Sequence, residues 1–581
     1  MVDQSSPEIS LTCGGKDWSH KVVSLVVVNE LDRIPFMRAS LEIDDTEAGA
    51  VFKLGAEVEV KAGYGGRLKS IFKGVLTTSG LILKSGRNTR KLEARDKAHV
   101  LTVGLHTALY LDKHDGKICN EILSGEGLSG DIPATSPTHK QLQQIYTSNW
   151  DFIRSRLQAN GLILKVLNGT VKAIKTDNPG SGKTVSLDAD TDPVLELEME
   201  TENRAWLDEV TVRAWKESSQ EEIQQKSGTA VPSFPEDAKG SGTGFQEVLI
   251  PHGVETAEMK NLSAGMLWQA RWGFVRGRVR VAGMLDVSPT DSLNLSNFQG
   301  PANGKTIVWA SRLSFSAGKW THDLQFGYGF FDKLQREREK NGLSGFFQGD
   351  LSRIQGLYPA KVMKLSGDPA KGERIQVHIP LLHEANKGVW ARVSSLYAGS
   401  GRAVVFRPEK DDEVLVGFFG GDPRAPVILG ALPSKANPAP DSLAAKDEKN
   451  TRKGWVSKKG LILLLNEDDK SITLETPAGQ LLTLNDKEGK VVLKDKNGNT
   501  LTLDKSGIAL KTNKDITLTA TGNIALKATG NINLKATQNF TAEGLDATVK
   551  GKKGLNLSGQ AMGELKSSGI LTIKGTLVKI N

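Results

Sequence analysis

The segment Gly180–Thr184 reads GSGKT, which has the residue types of a loop that cradles phosphate groups. Such a loop also needs a glycine five positions before Gly182 and a helix directly after the motif. Asp177 occupies the position that would need this glycine, and the residues that follow Lys183 alternate in polarity as those of a strand do. The sequence therefore predicts a hairpin loop here and no nucleotide-binding site.

Three residues, His378, His383 and Glu384, have side chains that could bind a metal ion. No His-Glu-x-x-His motif and no pair of neighbouring cysteines accompanies them, although such patterns are typical of zinc sites. His378 lies in an alternating strand pattern, which indicates a structural histidine. A Gly-x-Ser-x-Gly motif for a serine nucleophile is also missing from the sequence. We therefore predict no catalytic residues, no metal site and no cofactor.

The most regular feature is an eight-residue repeat over residues 507–544. Residues at i and i+2 lie on one face of a strand, and an even period returns each repeat to that face. Lys527 and its equivalents fall between the apolar positions and should face solvent. The predicted inward residues are Ile508, Leu510, Ile516, Leu518, Ile524, Leu526, Ile532 and Leu534.

One strand of this repeat offers only two sizeable side chains to a core. Ordering its backbone costs roughly 1–2 kcal/mol per residue, so that a strand of this kind cannot be stable alone. A three-sided solenoid of one chain would use about 24 residues per turn, and the clear repeat falls short of the roughly three repeats that stability requires. We therefore predict a homotrimeric, three-sided β-helix with the eight inward residues as its core. A monomeric β-solenoid and a flexible tail rich in lysine and threonine are the alternatives.

Composition limits the function classes. The 581 residues suffice for roughly three to five domains. Cys13 and Cys119 are the only cysteines, which excludes a disulfide-rich scaffold. The net charge of +8 would suit an anionic partner, but lysines on a solvated β surface account for it, and we predict no nucleic-acid binding. No leader with basic and apolar regions and no long apolar run occurs, so we expect neither a Sec signal nor a transmembrane helix.

Strand patterns dominate the rest of the chain. Helices are predicted at Trp150–Leu157, which follows the capping residue Ser148, and near residues 257–272. The polar stretch 218–244 predicts an exposed loop. Residues 352–434 contain five or six short strand patterns, with Arg402–Phe406 among them, and predict a small barrel of the OB type.

Three runs within that barrel carry a specific signature, namely GVWARV at Gly388–Val393, DEVLVGF at Asp412–Phe418 and GDPRAPVILGAL at Gly421–Leu432. They resemble the OB-fold module of VgrG spike proteins. The eight-residue repeats, which we call the octads, and the segment Val578–Asn581 look like the trimeric β-helix of that family. The helix pattern at Trp150–Leu157 is similar to a helix in the phage hub-like N-terminal part of such proteins.

The resemblance implies a mainly β, multidomain fold. Its parts would be a hub-like region of two barrel-like subdomains plus helices (1–345), an OB-fold (352–434), a Pro/Ala-rich linker (435–458) and an intertwined β-helix needle (459–581). The charged stretch 335–341 would also serve as a linker.

The resemblance also implies a function at the tip of a contractile injection machine, whether of a type VI secretion system, a phage-tail-like particle or a phage tail. Such a spike is assembled in the bacterial cytoplasm and leaves the cell on contraction. Its partners would be inner-tube and baseplate or hub proteins, secreted effectors, a PAAR-repeat tip protein and, transiently, the target membrane. Val578, Ile580 and Asn581 are the expected docking edge for the tip protein by strand addition.

We predict that this spike is not an enzyme. Some phage relatives carry a lysozyme domain before the needle, but the connection from Leu432 to Lys459 is too short for one, and we expect no further domain after Asn581. The alternative function is a tailspike-type polysaccharide depolymerase that uses a β-helix as its substrate platform. Tight turns and outward lysine and threonine side chains in the octads argue against that alternative.

Overall fold

The computed structural model describes residues 7–43, 52–84, 87–178, 180, 182–227, 240, 244–299, 302–328, 354–382, 387–444 and 447–580. The chain divides into two compact units, Met1–Ala439 and Pro440–Asn581. Most of the described residues in regular structure are in strands, which confirms the predicted mainly β, multidomain fold. The stretch 335–341 lies outside the described residues.

A sheet of thirteen strands is the largest element of the first unit. Its strands alternate in polarity: in Glu57–Tyr64, for example, Val58, Val60 and Ala62 are buried and the charged residues between them are not. The strands are β1 (Pro7–Cys13), β2 (Lys16–Asp17), β3 (Val22–Glu30), β4 (Phe36–Ile43), β5 (Glu57–Tyr64), β6 (Arg67–Lys84), β7 (Arg87–Arg95), β13 (Thr184–Asp188), β14 (Val194–Thr201), β18 (Val275–Ala282), β19 (Ser292–Ser296), β20 (Gly304–Ser316) and β21 (Lys319–Phe326). Their order is β14-β18-β21-β20-β3-β4-β7-β6-β5-β1-β2, and β19 joins β13 to β20.

Three α-helices lie among the described residues of this unit: α1 (Asp115–Gly125), α2 (Asn149–Ala159) and α3 (Thr256–Trp272). The predicted helices correspond to α2 and α3. The Ser148 hydroxyl caps α2 by accepting a hydrogen bond from the Asp151 amide at 3.1 Å. Gly161 follows α2 with a positive φ of 66°, which glycine adopts without strain. The buried faces of α1 and α2 share one apolar core with β11 and β12 (Leu162–Leu167 and Thr170–Lys175).

Three small sheets surround these helices. An antiparallel ribbon consists of β8 (His106–His114) and β10 (Thr138–Thr147), and a second sheet joins β9 (Ser129–Asp131) to β11 and β12. The third sheet contains β15 (Glu209–Lys216), β16 (Glu221–Lys226) and β17 (Phe245–Ile250). Strand β16 corrects the predicted loop at 218–244 over Glu221–Lys226, because its polar sequence gives no alternation and it is ordered by pairing with β15. Residues 228–239 and 241–243 of the predicted loop lie outside the described residues.

The OB-type barrel is confirmed as a closed barrel of five strands. The strands are β22 (Tyr358–Lys364), β23 (Ile375–His378), β24 (Val389–Val393), β27 (Glu413–Phe418) and β28 (Pro426–Ala431). The sixth pattern, Arg402–Phe406, was wrong as a barrel strand. Only Arg402–Ala403 (β26) is a strand there, and it forms a two-stranded hairpin with β25 (Ala398–Gly399) while Val405 and Phe406 are exposed.

The second unit begins with a seven-stranded antiparallel meander in which each strand pairs with the next. Its strands are β29 (Arg452–Val456), β30 (Ile462–Asn466), β31 (Ser471–Glu475), β32 (Leu481–Asn485), β33 (Lys490–Lys494), β34 (Thr500–Asp504) and β35 (Gly507–Lys511). Strand β29 lies inside the stretch 435–458 that we predicted as a linker. Within the described residues 512–580 there is no helix and no strand. Pairing within the chain therefore stops at Lys511, near the start of the eight-residue repeat.

Candidate assembly surface and a buried polar network

The eight predicted needle-core residues are all exposed in the single chain. Ile508 and Leu510 lie in β35, and the other six lie between Ile516 and Leu534, beyond the last strand. Their side chains are between 52% and 75% accessible. Aliphatic residues at such regular spacing are expected to be covered, because burying a leucine or isoleucine fully contributes about 1.5–3 kcal/mol. The single chain supplies no cover for them within the described residues.

The predicted docking edge is also exposed where it is described. Val578 and Ile580 are 48% and 87% accessible, whereas Asn581 lies outside the described residues. The chain around Val578 takes part in no strand of the described structure.

The meander presents a second apolar surface, which we call the two-column face. Strand register places leucine, isoleucine and valine opposite one another on six successive strands, and none of these side chains is buried. One column is Leu463, Leu474, Leu482, Leu493, Leu501 and Leu510, and the other is Leu465, Ile472, Leu484, Val491, Leu503 and Ile508. The centre of the reverse face alternates less clearly and carries Leu464, Thr473, Thr483, Val492, Thr502 and Ala509. The sheet thus has one uniformly apolar side and one side of mixed polarity.

The described residues of the two sequence motifs with possible chemistry contact other groups of the chain. Lys183 makes an ion pair with Asp286 at 2.7 Å, and the strand β13 follows it in place of a helix. His378 lies in β23 with its Nδ1 atom 2.8 Å from the carbonyl oxygen of Lys387. His383 and Glu384 lie outside the described residues. The described part of the chain holds no group of three or more side chains placed to bind a metal ion.

A buried charged network, which the sequence interpretation missed, lies where the OB barrel contacts α3. The Asp422 side chain is fully buried and accepts a hydrogen bond from Arg424 Nη2 at 2.8 Å. Its Oδ2 atom is also 2.8 Å from His252 Nε2. The second guanidinium nitrogen of Arg424, Nη1, donates to Glu258 Oε1 in α3 at 2.6 Å. One arginine therefore joins the barrel loop to a helix of the N-terminal region.

The network continues between α1 and α2. Arg156 Nε donates to Asp115 Oδ1 at 2.6 Å, and both side chains are only 1% accessible. His139 Nε2 is 3.1 Å from Asp115 Oδ2, and Asn160 donates to the same oxygen at 2.8 Å. Arg156 Nη2 is 3.7 Å from Glu258 Oε1, which links this half of the network to Arg424.

The electrostatics of the network favour the ionised carboxylates. Burial alone would raise the pKa of Asp422, but Arg424 and His252 outweigh it and hold that pKa well below its usual range. Burial is likewise outweighed at Asp115, where Arg156 and His139 lower the pKa. At Glu258 burial is outweighed by Arg424 and Arg156. Three buried negative charges are thus held in place by two arginines, with His252 and His139 beside them.

Uncharged contacts accompany the network on the β8–β10 ribbon. Gln141 forms a two-way amide contact with the barrel residue Trp390: its Nε2 donates to the Trp390 carbonyl at 3.2 Å, and its Oε1 accepts from the Trp390 amide at 3.0 Å. Gln143 Nε2 donates to the carbonyl of Pro423 at 2.5 Å. Ile145 and Leu109 of the ribbon pack in the apolar core of the barrel. The barrel and the N-terminal region are therefore joined by ion pairs, hydrogen bonds and apolar packing.

None of the described helices is both long enough and apolar enough to span a bilayer.

Comparison with protein families gives two matches. Residues 4–314 match the family described as the Alg8 N-terminal domain. Residues 358–432 match the family described as the type VI secretion system/phage-baseplate injector OB domain, and this range coincides with the closed barrel. No curated protein sequence matches the chain.

Solved structures of similar fold include PdpA–VgrG complexes. The half-lidded complex from Francisella has a TM-score of 0.53 at 10% sequence identity, and the match covers 88% of this chain and 88% of that chain. The lidless PdpA–VgrG complex gives 0.52 at 10% identity and covers 88% of this chain and 99% of that chain. These likenesses concern the fold. Since the first family match spans more than half of the chain, the protein belongs to the family of the Alg8 N-terminal domain and has the VgrG-like spike fold that its sequence resembles.

Proposed function

We propose that this chain is a non-enzymatic, homotrimeric spike at the tip of a contractile injection system. In this role it joins the inner tube and baseplate to a PAAR-type tip protein and punctures the target envelope while effectors are delivered. The particle is assembled in the bacterial cytoplasm and delivered outward on contraction, with only transient contact between the spike and the target membrane.

The observation that carries this proposal is the exposed octad segment. Its isoleucine and leucine side chains have no cover in the single chain, and residues 512–580 form no strand pairs within the described structure. Three copies that wind around one another would supply both missing partners, because each strand would then pair with strands of the other two copies and all the apolar pairs would face a shared interior.

The meander supports the same assembly. Its two-column face could pack against the same face of two further copies, so that three sheets enclose one aliphatic core. Twelve aliphatic side chains per copy would then be removed from water, and burial of apolar surface is the main favourable contribution to such an assembly. The reverse face of mixed polarity would then point to solvent.

The tip of the needle would bind its cap through backbone edges. In a trimer, the segment with Val578, Ile580 and Asn581 offers three unpaired strand edges around one axis. A PAAR-type protein could add strands to these edges, a mode of recognition in which main-chain hydrogen bonds give affinity and side-chain pockets give specificity. The eight-residue step would advance the needle by about one strand spacing, roughly 4.8 Å, for each strand.

The injector OB domain and the VgrG-like fold support the place of this chain in such a machine. The similar solved structures are complexes of a VgrG protein with PdpA. By analogy, we expect this chain to assemble with other components of its own particle. Effectors would be carried on the assembled spike, because no described part of this chain resembles a catalytic domain.

The polysaccharide depolymerase remains the competing function. It would require paired carboxylates on an exposed platform, whereas the described outward positions of the octads are mainly lysine and threonine. Incubating the purified protein with capsular and lipopolysaccharide glycans distinguishes the two functions. The spike proposal predicts no release of reducing ends, and glycan cleavage would establish the enzyme.

Particle imaging tests the spike itself. Cryo-electron microscopy of the purified protein should show threefold particles with a narrow projection on the order of 70 Å long, as about 120 residues of needle would give. Adding a PAAR-repeat protein from the same gene cluster should place extra density at the end of that projection. Particles without threefold symmetry would contradict the proposal.

A further inference from the structure

The contact between the OB barrel and the N-terminal region contains more buried charge than a rigid joint requires. We call this contact the joint and define it by Asp115, His139, Arg156, His252, Glu258, Asp422 and Arg424, together with the Gln141–Trp390 amide pair. Apolar residues of similar volume would hold two domains at least as well, since desolvating ion pairs consumes much of their attraction. Breaking one partner of such a pair is nevertheless strongly destabilising.

The charges of the joint depend on one another across the contact. Glu258 belongs to the N-terminal region, yet its nearest cation is Arg424 of the barrel, at 2.6 Å. Asp422 belongs to the barrel, yet His252 of the N-terminal region contacts it at 2.8 Å. Loss of the negative charge on Glu258 would leave the buried Arg424 with only Asp422. Loss of the charge on Asp422 would leave Arg424 with only Glu258 and would remove the carboxylate that His252 contacts.

We propose that the joint is a latch that acid releases: protonation of its buried carboxylates separates the OB barrel from the N-terminal region before either one unfolds. The groups that face these carboxylates come from every neighbouring element. They are His139 on β10, Arg156 and Asn160 on α2, Cys119 on α1, His252 before α3, and Arg424 beside Asp422. These facing groups include no further carboxyl group, with its ordinary pKa near 4, that could take up the proton instead.

The direction follows from proton linkage. Asp115, Glu258 and Asp422 have lowered pKa values in the closed joint, whereas exposed carboxyl groups titrate near pH 4. The open joint therefore binds more protons below about pH 4, and acid favours it. Glu258 and Asp422 each lose a partner across the contact, whereas Asp115 keeps Arg156, His139 and Asn160 on its own side. The opening equilibrium should therefore increase by up to roughly a hundredfold between pH 6 and pH 3. The joint is fully stabilised above that range.

Hydrogen exchange at one backbone amide reports the joint directly. The Trp390 amide donates across the contact to Gln141, whereas the neighbouring strand β23 belongs to the barrel alone. The full-length protein is exchanged in D₂O buffers from pH 6 to pH 3, and each protection factor is corrected for the intrinsic pH dependence of exchange. We expect protection at Trp390 to fall by up to roughly a hundredfold, within the limit set by barrel unfolding, while Ile375–His378 keeps its protection.

Two variants test which carboxylates take up protons when the joint opens. Glu258→Gln keeps an acceptor for Arg424 but removes one titrating group, so that the acid-dependent loss of protection at Trp390 should shrink to roughly tenfold. The matched control is Asp368→Asn, which removes a carboxylate paired with Arg374 inside the barrel domain at 2.6 Å. This control should leave the pH slope at Trp390 unchanged.

Three results would overturn the latch. Trp390 protection could stay constant down to pH 3, or it could fall in step with that of Ile375–His378, which would mean that the barrel unfolds as a whole. Protection at Trp390 in Glu258→Gln could also retain the full pH dependence of the wild-type protein. Each result would leave the trimeric spike proposal intact, because the joint lies within the first unit of a single chain.

Discussion

Among single residues, Arg424 lies in a largely buried environment with two carboxylate partners. It is the common partner of Asp422 and Glu258, and all three side chains are at most 10% accessible. Its removal would leave two buried carboxylates without their strongest counter-charge, and the cost of such uncompensated charge exceeds that of losing an exposed ion pair many times over.

We therefore predict that Arg424→Met destabilises the first unit by about 3–5 kcal/mol. Chemical denaturation followed by intrinsic fluorescence measures the change. Arg407→Met is the matched control, because Arg407 pairs with Glu373 at the surface, where an ion pair contributes only about 0–1 kcal/mol. Equal effects of the two variants would refute the role of Arg424.

We predict a second pH dependence of stability, which arises from His322. Burial lowers the pKa of His322 to about 4, and its Nδ1 atom accepts a hydrogen bond from the Leu285 amide at 3.2 Å. Because the unfolded chain binds this proton near pH 6.5, stability is lost as the pH falls from 6.5 to 4, by up to about 3 kcal/mol. His322→Gln should remove that part of the pH dependence. If the free energy of unfolding depends on pH identically in the two proteins, His322 is not the source of this pH dependence.

The sequence pattern did not indicate these residues, for a physical reason. Asp422 stands in a Gly-Asp-Pro-Arg run that reads locally as a turn. Its burial depends on His252, which is 170 residues away in sequence. Neither composition nor spacing reports such a distant contact. The motif was visible in the sequence, but its role as an ion-paired joint was not.

At the scale of elements, the regular patterns were the most predictable. Ser148 precedes α2 as the predicted capping residue should, and the helix predicted near residues 257–272 is α3. The strand β16 could not be predicted, because a run of charged and amide side chains acquires strand structure only through its neighbour β15. Strand β29 likewise follows from its pairing with β30 rather than from its own sequence.

The octads give a prediction at this scale. Ile524→Asp should abolish assembly, because a trimer would then hold three unpaired charges in one interior layer, and burying an unpaired charge is very costly. Lys527→Asp is the matched control at an outward position and should assemble normally. Size-exclusion chromatography with light scattering compares the two variants. If both assemble equally, the inward and outward assignment is wrong.

At the scale of the whole molecule, the sequence predicted the fold class and the injector OB barrel, and the structure and family matches confirm both. It did not predict the strand order of the large sheet. There β3 pairs with β20, and Ser24 lies opposite Ser316. Alternation fixes which face of a strand is buried but not which distant strand lies beside it. The needle remains a proposal, because its partners would be other copies of the chain.

The mass of the purified particle tests the central claim most directly. One chain has a mass of 62.7 kDa, so a homotrimer should have three times that mass, about 188 kDa. Mass photometry or sedimentation equilibrium at micromolar concentration should give this single species, and Ile524→Asp should not form it. A uniform species of 62.7 kDa under the same conditions would contradict the trimeric spike.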